Sequence, residues 1–420
     1  MSKYHYTMTT ITPLHIGTGE AMTSLEYHIT DQLLIVPDLN KVFASHPQAA
    51  SRFLLNLSAR TSHELSRLRL DQLMDAAVLE DRSTWRYSMP DVYDHDNSFY
   101  ALDKLSEAIG RGQGEIKLFI KTADYQVYIP GSSIKGALKT AWAYWQCLND
   151  SRIIEDVLER QSREHDAAKK ARAGERAINS RVFQSSVDER DAAYDLFRVL
   201  QVSDSAPRKP EDVLVLAGER LLSASVRARN GSNIPPGNVP ASYKDYWTFC
   251  EAVDLDFDFS GRIVFNQKLL ADYRAQSKMG WKAQQREFTI ESLRSAVNRF
   301  AVDLCQWEIE YFERIDQHSQ RCDLTEVVKF YRSLKKEIES APANTLYFSL
   351  GHGSGWNKLT IGLLLEKRLS RQQFINLRRD LRLADRYTDF EYPKSRKLVM
   401  KGNVQAESPF GWVKLILSQE

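Results

Sequence analysis

The feature that most constrains this 420-residue chain is a glycine run, Gly351-His352-Gly353-Ser354-Gly355-Trp356, which is followed by Lys358 and Thr360. An apolar stretch at 346–350 predicts a strand before the run, and a helical pattern follows at 359–369. Glycine accepts backbone conformations that other residues avoid, so such a run can bring backbone N–H groups to the start of a helix, where an anion binds. We predict an anion-binding loop here, with a plain strand-to-helix turn as the alternative.

A second loop of the same kind lies upstream, where Pro130-Gly131-Ser132-Ser133-Ile134-Lys135-Gly136 follows a predicted strand at 125–129 and begins a predicted helix that runs to about 148. A P-loop needs Gly-Lys-Ser/Thr at its end, whereas the order here is Lys135-Gly136-Ala137. The evenly spaced glycines of the first run also fail the dinucleotide pattern G-x-G-x-x-G. Two such loops favour a polyanion over a single nucleotide as the ligand.

Charge is distributed unevenly along the chain. The region 358–401 holds twelve Lys and Arg against five Asp and Glu, a local charge of +7 in a chain whose net charge is +2. A local basic face favours an anionic partner, and a solvated helix face is the alternative. The four cysteines form no C-x-x-C pair, and no apolar run of about 18 residues occurs. We therefore expect a cytoplasmic protein with neither a zinc site nor a membrane span.

The pattern of elements predicts an α+β fold. Each half shows a strand, a glycine turn, a strand, a helical insert, a strand and a helix, which is typical of two ferredoxin-like units with helical insertions. We place these domains at 1–205 and 206–420, joined near 205–212. Periodicity further predicts a charged helix at 151–180, a basic helix at 366–386 and a basic loop at 392–402.

Four motifs, in this order, carry a resemblance to a known family: Leu14-His15-Ile16-Gly17-Thr18-Gly19, Ile129-Pro130-Gly131-Ser132-Ser133-Ile134-Lys135-Gly136-Ala137-Leu138-Lys139-Thr140, Val202-Ser203-Asp204-Ser205 and the glycine run itself. The set resembles the RAMP superfamily of CRISPR effector proteins, whose units are RRM-like. It is most similar to the Csm subunit of type III-A complexes that caps the 3′ end of the guide RNA. The motifs cover only about 40 residues.

The resemblance implies a non-catalytic RNA-binding subunit that holds the 3′ region of the crRNA and supports its maturation and complex assembly in antiviral defence. It also implies packing against the backbone-forming RAMP subunit and the small subunit, while recruitment of host nucleases stays open. His352 departs from the small or aromatic residue that the family often has in this loop. The insert at 151–180 has no counterpart in the resemblance, so its role is not supplied.

We expect RNA contacts that do not depend on base identity, because backbone amides, serine hydroxyls and lysines all bind phosphate. The candidate RNA-binding residues are His15, Gly17, Gly19, Gly131, Ser132, Ser133, Lys135, Lys139, Gly351, Gly353, Gly355, Trp356, Lys358, Lys394, Arg396 and Lys397.

Aromatic residues beside basic ones can stack on splayed bases, with an amphipathic rim around the core as the alternative. Two groups show this pattern: Tyr392 with Lys394, Arg396 and Lys397, and Trp281 with Lys278 and Lys282. Trp142 and Trp145 lie three apart on the predicted helix, which favours core or interface residues over a stacking platform.

Two catalytic alternatives were weighed against this binding role. His15, beside a glycine turn, could deprotonate a ribose 2′-OH in a metal-independent endoribonuclease that processes CRISPR RNA, but no acid partner is evident. Asp91, Asp94, His95 and Asp96 could bind a metal, although clustered aspartates are more often turn residues. We expect no catalytic residue, no metal and no cofactor.

Overall fold

The computed structural model describes residues 2–91, 100–184, 192–224, 237, 239–271, 280–281, 285, 287–315, 321–383 and 392–420. Its strands are β1 (Ser2–Thr10), β2 (Gly17–Met22), β3 (His28–Ile29), β4 (Leu34–Pro37), β5 (Trp85–Met89), β6 (Ile116–Phe119), β7 (Leu200–Val202), β8 (Leu214–Ala224), β9 (Ala241–Tyr243), β10 (Thr248–Val253), β11 (Asp258–Phe265), β12 (Thr345–Ser349), β13 (Ser395–Met400), β14 (Ala406–Pro409) and β15 (Trp412–Gln419).

The helices are α1 (Leu39–Ser45), α2 (Pro47–Ser58), α3 (Ser62–Leu65), α4 (Ala76–Leu79), α5 (Tyr100–Ile109), α6 (Gly131–Asn149), α7 (Ser151–Ser162), α8 (Ala167–Ile178), α9 (Pro210–Val213), α10 (Gln267–Ala271), α11 (Ile290–Arg314), α12 (Thr325–Glu339), α13 (Gly355–Leu359), α14 (Gly362–Arg368) and α15 (Arg371–Asp380). In the described ranges, none of them combines the length and the apolar character that a bilayer span requires.

A five-stranded sheet with the order β12-β15-β1-β11-β7 joins distant parts of the chain. Strand β1 pairs antiparallel with both β11 and β15. Its alternating pattern buries Tyr6 and Met8 on one face, as expected for a strand with one face on the core. The last strand of the chain is therefore hydrogen-bonded to the first.

A second, larger sheet has the order β14-β13-β8-β10-β6-β2, with β9 paired to β8. Along β8, Val215, Ala217 and Glu219 share one face because side chains alternate. Val215 and Ala217 form a small buried cluster with Phe410 and neighbours on β10 and β13. The strands β3, β4 and β5 form a separate three-stranded sheet in that order.

Helix α6 packs against α11 and links the sheets to the helical layer. Ile134, Leu138 and Ala141 recur at helical spacing and are buried, as are Leu293 and Val297 on α11. The rings of Tyr144 and Phe300 lie 4.6 Å apart across this contact. Helix α6 begins at Gly131, directly after Pro130, which has no backbone N–H to donate to an earlier turn of helix.

The α+β prediction is confirmed, and the predicted helix after Gly131 is present as α6. The predicted basic loop at 392–402 is wrong in part, because β13 occupies its centre between β8 and β14. The predicted helix at 151–180 is two helices, α7 and α8, and the predicted strand at 125–129 makes only isolated bridges at Val127. The domain boundary near 205 stays a prediction, although both sheets draw strands from either side of it.

Candidate functional site

Two glycine turns that are more than 330 residues apart in sequence meet between the two large sheets. The backbone N–H of His352 donates to the His15 carbonyl oxygen at 2.8 Å. Gly351 has a φ of +68°, and a Cβ at this position would overlap the same carbonyl oxygen. The two imidazole rings meet edge to face at 5.4 Å. We call this contact, residues 14–19 against 351–355, the glycine seam.

A buried carboxylate anchors the glycine seam to the larger sheet. Glu219 on β8 is 3 % exposed and accepts from His352 Nε2 at 2.6 Å. Lys397 on β13 and Lys117 on β6 lie 3.3 and 3.7 Å from the same carboxylate. Burial alone would raise the pKa of Glu219, but these three partners outweigh it and lower that pKa. Both lysines remain more than a third exposed and face solvent beside the seam.

His15 is buried within the seam and does not reach solvent. Its side chain is 2 % exposed, and Nδ1 lies 2.6 Å from the Glu251 carbonyl oxygen, so Nδ1 carries the proton and donates it. Burial lowers the pKa of His15 to about 4, so the ring is neutral at pH 7. A buried ring with one nitrogen engaged is a structural element of the seam and is poorly placed to take a proton from RNA.

The low pKa of His15 predicts a pH-dependent stability. The unfolded chain binds a proton at His15 near pH 6.5 and the folded chain only near pH 4, so this residue destabilises the fold as pH falls between these values. The full effect is about 3 kcal/mol. In urea unfolding between neutral pH and about pH 4.5, His15→Asn, which keeps a donor for Glu251, should lose less stability than the wild type. Parallel pH profiles for the two proteins would contradict this assignment.

In the upstream predicted anion loop, at 130–136, a carboxylate of the chain itself occupies the start of the helix. Gly131 N–H donates to the Asp204 carboxylate at 2.7 Å, and Asp204 belongs to the third motif of the resemblance. A Cβ at Gly131 would overlap the Val202 carbonyl oxygen, so glycine is needed for this close approach. The Asp204 carboxylate thus caps the start of α6, where it would repel a phosphate.

The other candidates on this loop differ in access. Ser132 is exposed, whereas Ser133, Lys135 and Lys139 are half-buried. Lys139 forms an ion pair with Asp195 at 2.6 Å. Burial lowers the pKa of Lys135, which lies near Asp195 and Lys139. Lys135 and Ser132 are thus the groups of this loop that a phosphate could reach most directly.

Lys358, next to the glycine run at 351–356, and Arg396, on β13, are two predicted RNA-binding residues that have internal partners. Lys358 is 7 % exposed and donates to Ser349 Oγ at 3.1 Å and to the Phe410 carbonyl oxygen at 3.4 Å. Burial lowers its pKa to about 8. Arg396 donates to Glu308 at 2.6 Å and covers the Tyr311 ring. The helix that follows the loop, α13, has only five residues, too few for a strong helix dipole.

The remaining candidates are exposed or half-buried. Gly17, Gly19, Gly351 and Gly355 are exposed, and Gly353, Trp356, Lys394 and Lys397 are half-buried. The structure therefore brings His15, Gly17, Gly351 and Lys397 together, and it adds Lys117 and Glu219, which sequence reasoning missed. Single charged residues in the strands β6 and β8 carried no motif that could have found them.

The predicted stacking groups are mostly internal. Trp142 is 2 % exposed and Trp145 packs on the core, which agrees with the core interpretation. Trp281 is 1 % exposed and donates to the Tyr194 carbonyl oxygen, so it is not a stacking platform; Lys278 and Lys282 lie outside the described residues. Tyr392 is half-buried and stacks with Arg378 at 4.3 Å.

The predicted metal cluster falls largely outside the described residues, which include Asp91 but not Asp94, His95 or Asp96. Asp91 accepts from the backbone of Ala101 at 2.6 Å and Leu102 at 3.2 Å, and so caps α5. Within the part of the chain that the structure describes, no three His, Cys, Asp or Glu side chains are grouped as metal ligands.

Comparison with known proteins identifies the class to which this fold and seam belong. The family model of the RAMP superfamily matches residues 7–356, and the chain belongs to this superfamily. The CRISPR system Cms protein Csm5 of Methanocaldococcus jannaschii is 25% identical over 97% of this chain and 87% of its own length. The resemblance stated from the sequence motifs is thus confirmed.

Two solved structures share the fold. A chain of a Csm-crRNA-target RNA ternary complex of a type III-A CRISPR-Cas system, determined by cryo-EM, is 23% identical, with a TM-score of 0.62 and full coverage of both chains. The crystal structure of Csm5 of T. onnurineus is 21% identical, with a TM-score of 0.59, and covers 97% of this chain and 99% of its own. The fold of this chain is therefore the RAMP fold.

Proposed function

We propose that this chain is a non-catalytic RNA-binding subunit of a type III-A Csm complex, that it holds the 3′ region of the crRNA, and that it supports crRNA maturation and complex assembly. The observation that carries the proposal is the glycine seam with Lys117 and Lys397 beside it. Exposed glycines let a sugar-phosphate backbone approach closely, and the two half-exposed lysines supply charge without reading bases. Such contacts suit a guide whose sequence varies.

The environment of His15 supports a non-catalytic role. A general base must reach the proton that it removes, directly or through one water. His15 is 2 % exposed, and its Nδ1 is committed to a backbone carbonyl oxygen. The ribonuclease alternative therefore loses His15 as its candidate base.

Partners follow from the relatives' names. One structural neighbour lies in a Csm-crRNA-target RNA complex, so we propose crRNA and other Csm subunits, in particular the backbone RAMP subunit and the small subunit, as partners of this chain. The four cysteines are buried and none of them forms a disulfide, which fits the reducing cytoplasm in which we expect the complex to work.

The proposal predicts that RNA affinity depends on salt concentration and that Lys117 and Lys397 each contribute to this dependence. Binding of the full chain to single-stranded RNA should weaken steeply with salt, and Lys397→Ala or Lys117→Ala should each reduce the log-log slope by roughly 0.7. Affinity should fall alike for RNAs of unrelated sequence. The measurement is a titration of fluorescent RNA at several salt concentrations.

Lys358→Met is the matched control, because Lys358 carries a charge in the same region but is 7 % exposed. Its slope should equal that of the wild type. A slope that is unchanged in both seam variants, or reduced only by Lys358→Met, would contradict the placement of RNA at the seam. RNA binding without any salt dependence would contradict phosphate recognition itself.

A further inference from the structure

A cleft of about 410 Å³ opens between the glycine turn at 351–355, α13 and β13. This volume lies within the range of about 300 to 1,000 Å³ that is typical of small-molecule pockets. Three aromatic residues, Phe312, Tyr331 and Trp356, are among those that line it. Lys397, which is half-exposed, lies at the same cleft. The cleft thus combines aromatic surfaces with a cationic group.

Asn357 on α13 lines the cleft and is 4 % exposed. Among the described residues, neither its amide oxygen nor its amide nitrogen has a hydrogen-bond partner. The indole N–H of the adjacent Trp356 is also buried and has no hydrogen-bond partner among the same residues. Buried polar side chains are almost always hydrogen-bonded, since burial without a partner is costly. A buried amide whose donor and acceptor both lack a partner therefore indicates a site where a ligand can supply the missing hydrogen bonds.

Asn298 on α11 shows what a structural asparagine looks like in this same chain. It is 9 % exposed, its Nδ2 donates to the Thr345 carbonyl oxygen at 2.9 Å, and its Oδ1 accepts from Tyr347 N–H at 2.9 Å. Both groups of its amide are satisfied by the edge of β12. Asn357 has comparable burial without those bonds, so the fold does not use its amide in the same way.

We propose that this cleft binds one unstacked nucleobase of the RNA and that Asn357 hydrogen-bonds the edge of that base. The inference rests on the proposed function and adds a base-binding site beside the seam. An amide presents one donor and one acceptor side by side, and the Watson–Crick edge of every nucleobase offers a complementary pair. Single-stranded RNA is commonly held by bases that are splayed out and packed on aromatic side chains. Lys397 would then lie near the phosphate of the same nucleotide.

A nucleobase fits the cleft better than a peptide of a partner subunit. A peptide group could also pair with an amide, but a peptide backbone is uncharged, whereas each nucleotide brings a phosphate for the half-exposed lysine. The cleft also adjoins the exposed glycines 351 and 355, which allow close approach of a sugar-phosphate backbone. The shared position of the amide, the rings and the cation therefore favours a nucleotide.

The test compares the affinity of the full chain for a single-stranded RNA oligonucleotide with its affinity for an abasic oligonucleotide of equal length. The wild type should prefer the RNA by roughly tenfold or more, because a good bidentate contact to a base carries that much discrimination. Asn357→Leu, which is close in shape, should lose most of that preference. An unchanged preference in the variant would overturn the inference.

Thermal unfolding of the free chain separates ligand binding from a structural role. Asn357→Leu should unfold at the same temperature as the wild type or higher, since it removes an unsatisfied buried amide. Asn298→Leu, the matched control, should unfold at a lower temperature because it breaks two hydrogen bonds. Equal destabilisation by the two substitutions would overturn the inference by showing that Asn357 serves the fold. If the wild type bound neither oligonucleotide, the proposed function itself would fail.

Discussion

Replacing Gly351 with alanine is expected to lower the free energy of unfolding by about 3 kcal/mol or more. Gly351 has a φ of +68°, which costs an L-residue energy by itself, and a Cβ there would overlap the His15 carbonyl oxygen. That overlap involves backbone on both sides, so it cannot be relieved by rotating a side chain. The seam would have to open, and with it the hydrogen bond between His352 and His15. Urea unfolding of the purified variant measures the loss.

Gly355→Ala provides the matched control in the same loop. Gly355 also has a positive φ, +58°, but an added Cβ there would meet nothing within 4 Å. Its cost should be limited to the backbone conformation, about 1 kcal/mol. A cost for Gly351→Ala that is no larger than this would show that the seam is loosely packed. In that case the contact between the two glycine turns would not explain why glycine is present.

Replacing Glu251 with glutamine should destabilise the fold by about 3 to 5 kcal/mol. Glu251 on β10 is fully buried and holds three groups: the Tyr87 hydroxyl, the Lys121 amine and Phe119 N–H, the last at 2.7 Å. Burial lowers the pKa of Lys121, and the charge of Glu251 opposes that effect. Without the carboxylate, the Lys121 charge, whose side chain is 9% exposed, would be left without its counter-ion. Chemical denaturation measures this effect.

The double variant Glu251→Gln with Lys121→Met should recover part of that loss, since it removes both charges together. An exposed ion pair is the control. Glu326 and Lys329 on α12 lie 2.7 Å apart with side chains 42% and 64% exposed. Glu326→Gln should change stability by less than about 0.5 kcal/mol. If Glu251→Gln cost no more than this, the buried network would not stabilise the junction between β10, β6 and β5.

Local elements with strong patterns were predictable from the sequence. Pro130 and Gly131 begin α6, and the spacing of Ile134 and Leu138 gives its buried face. The alternation of Tyr6 and Met8 gives β1. These signals depend only on neighbours in sequence, so they are present before any tertiary contact forms. The short motifs were also sufficient to recognise the RAMP family, because each of them is a run of consecutive residues that can be read directly from the sequence.

The sequence could not locate β13, because Ser395, Arg396 and Lys397 are polar or charged and suggest a loop. Their strand forms because β8 and β14 supply backbone partners on both sides. β-Structure depends on partners that are distant in sequence, and half-exposed strands can carry charged residues. For the same reason, the sequence could not predict which lysines are accessible to solvent. Lys397 faces the surface while Lys358, which is equally basic in sequence, is buried against Ser349 and Phe410.

The sequence by itself determined that this chain is an α+β protein of the RAMP class with glycine motifs at 17–19, 131 and 351–355. Only the tertiary structure decided what those motifs do. It placed Asp204 on Gly131, and it set His15 against His352 between two sheets whose strands come from both ends of the chain. The physical reason is that a motif fixes local conformation. Whether its N–H groups and charges meet RNA or the protein's own oxygens depends on which distant segments fold against it.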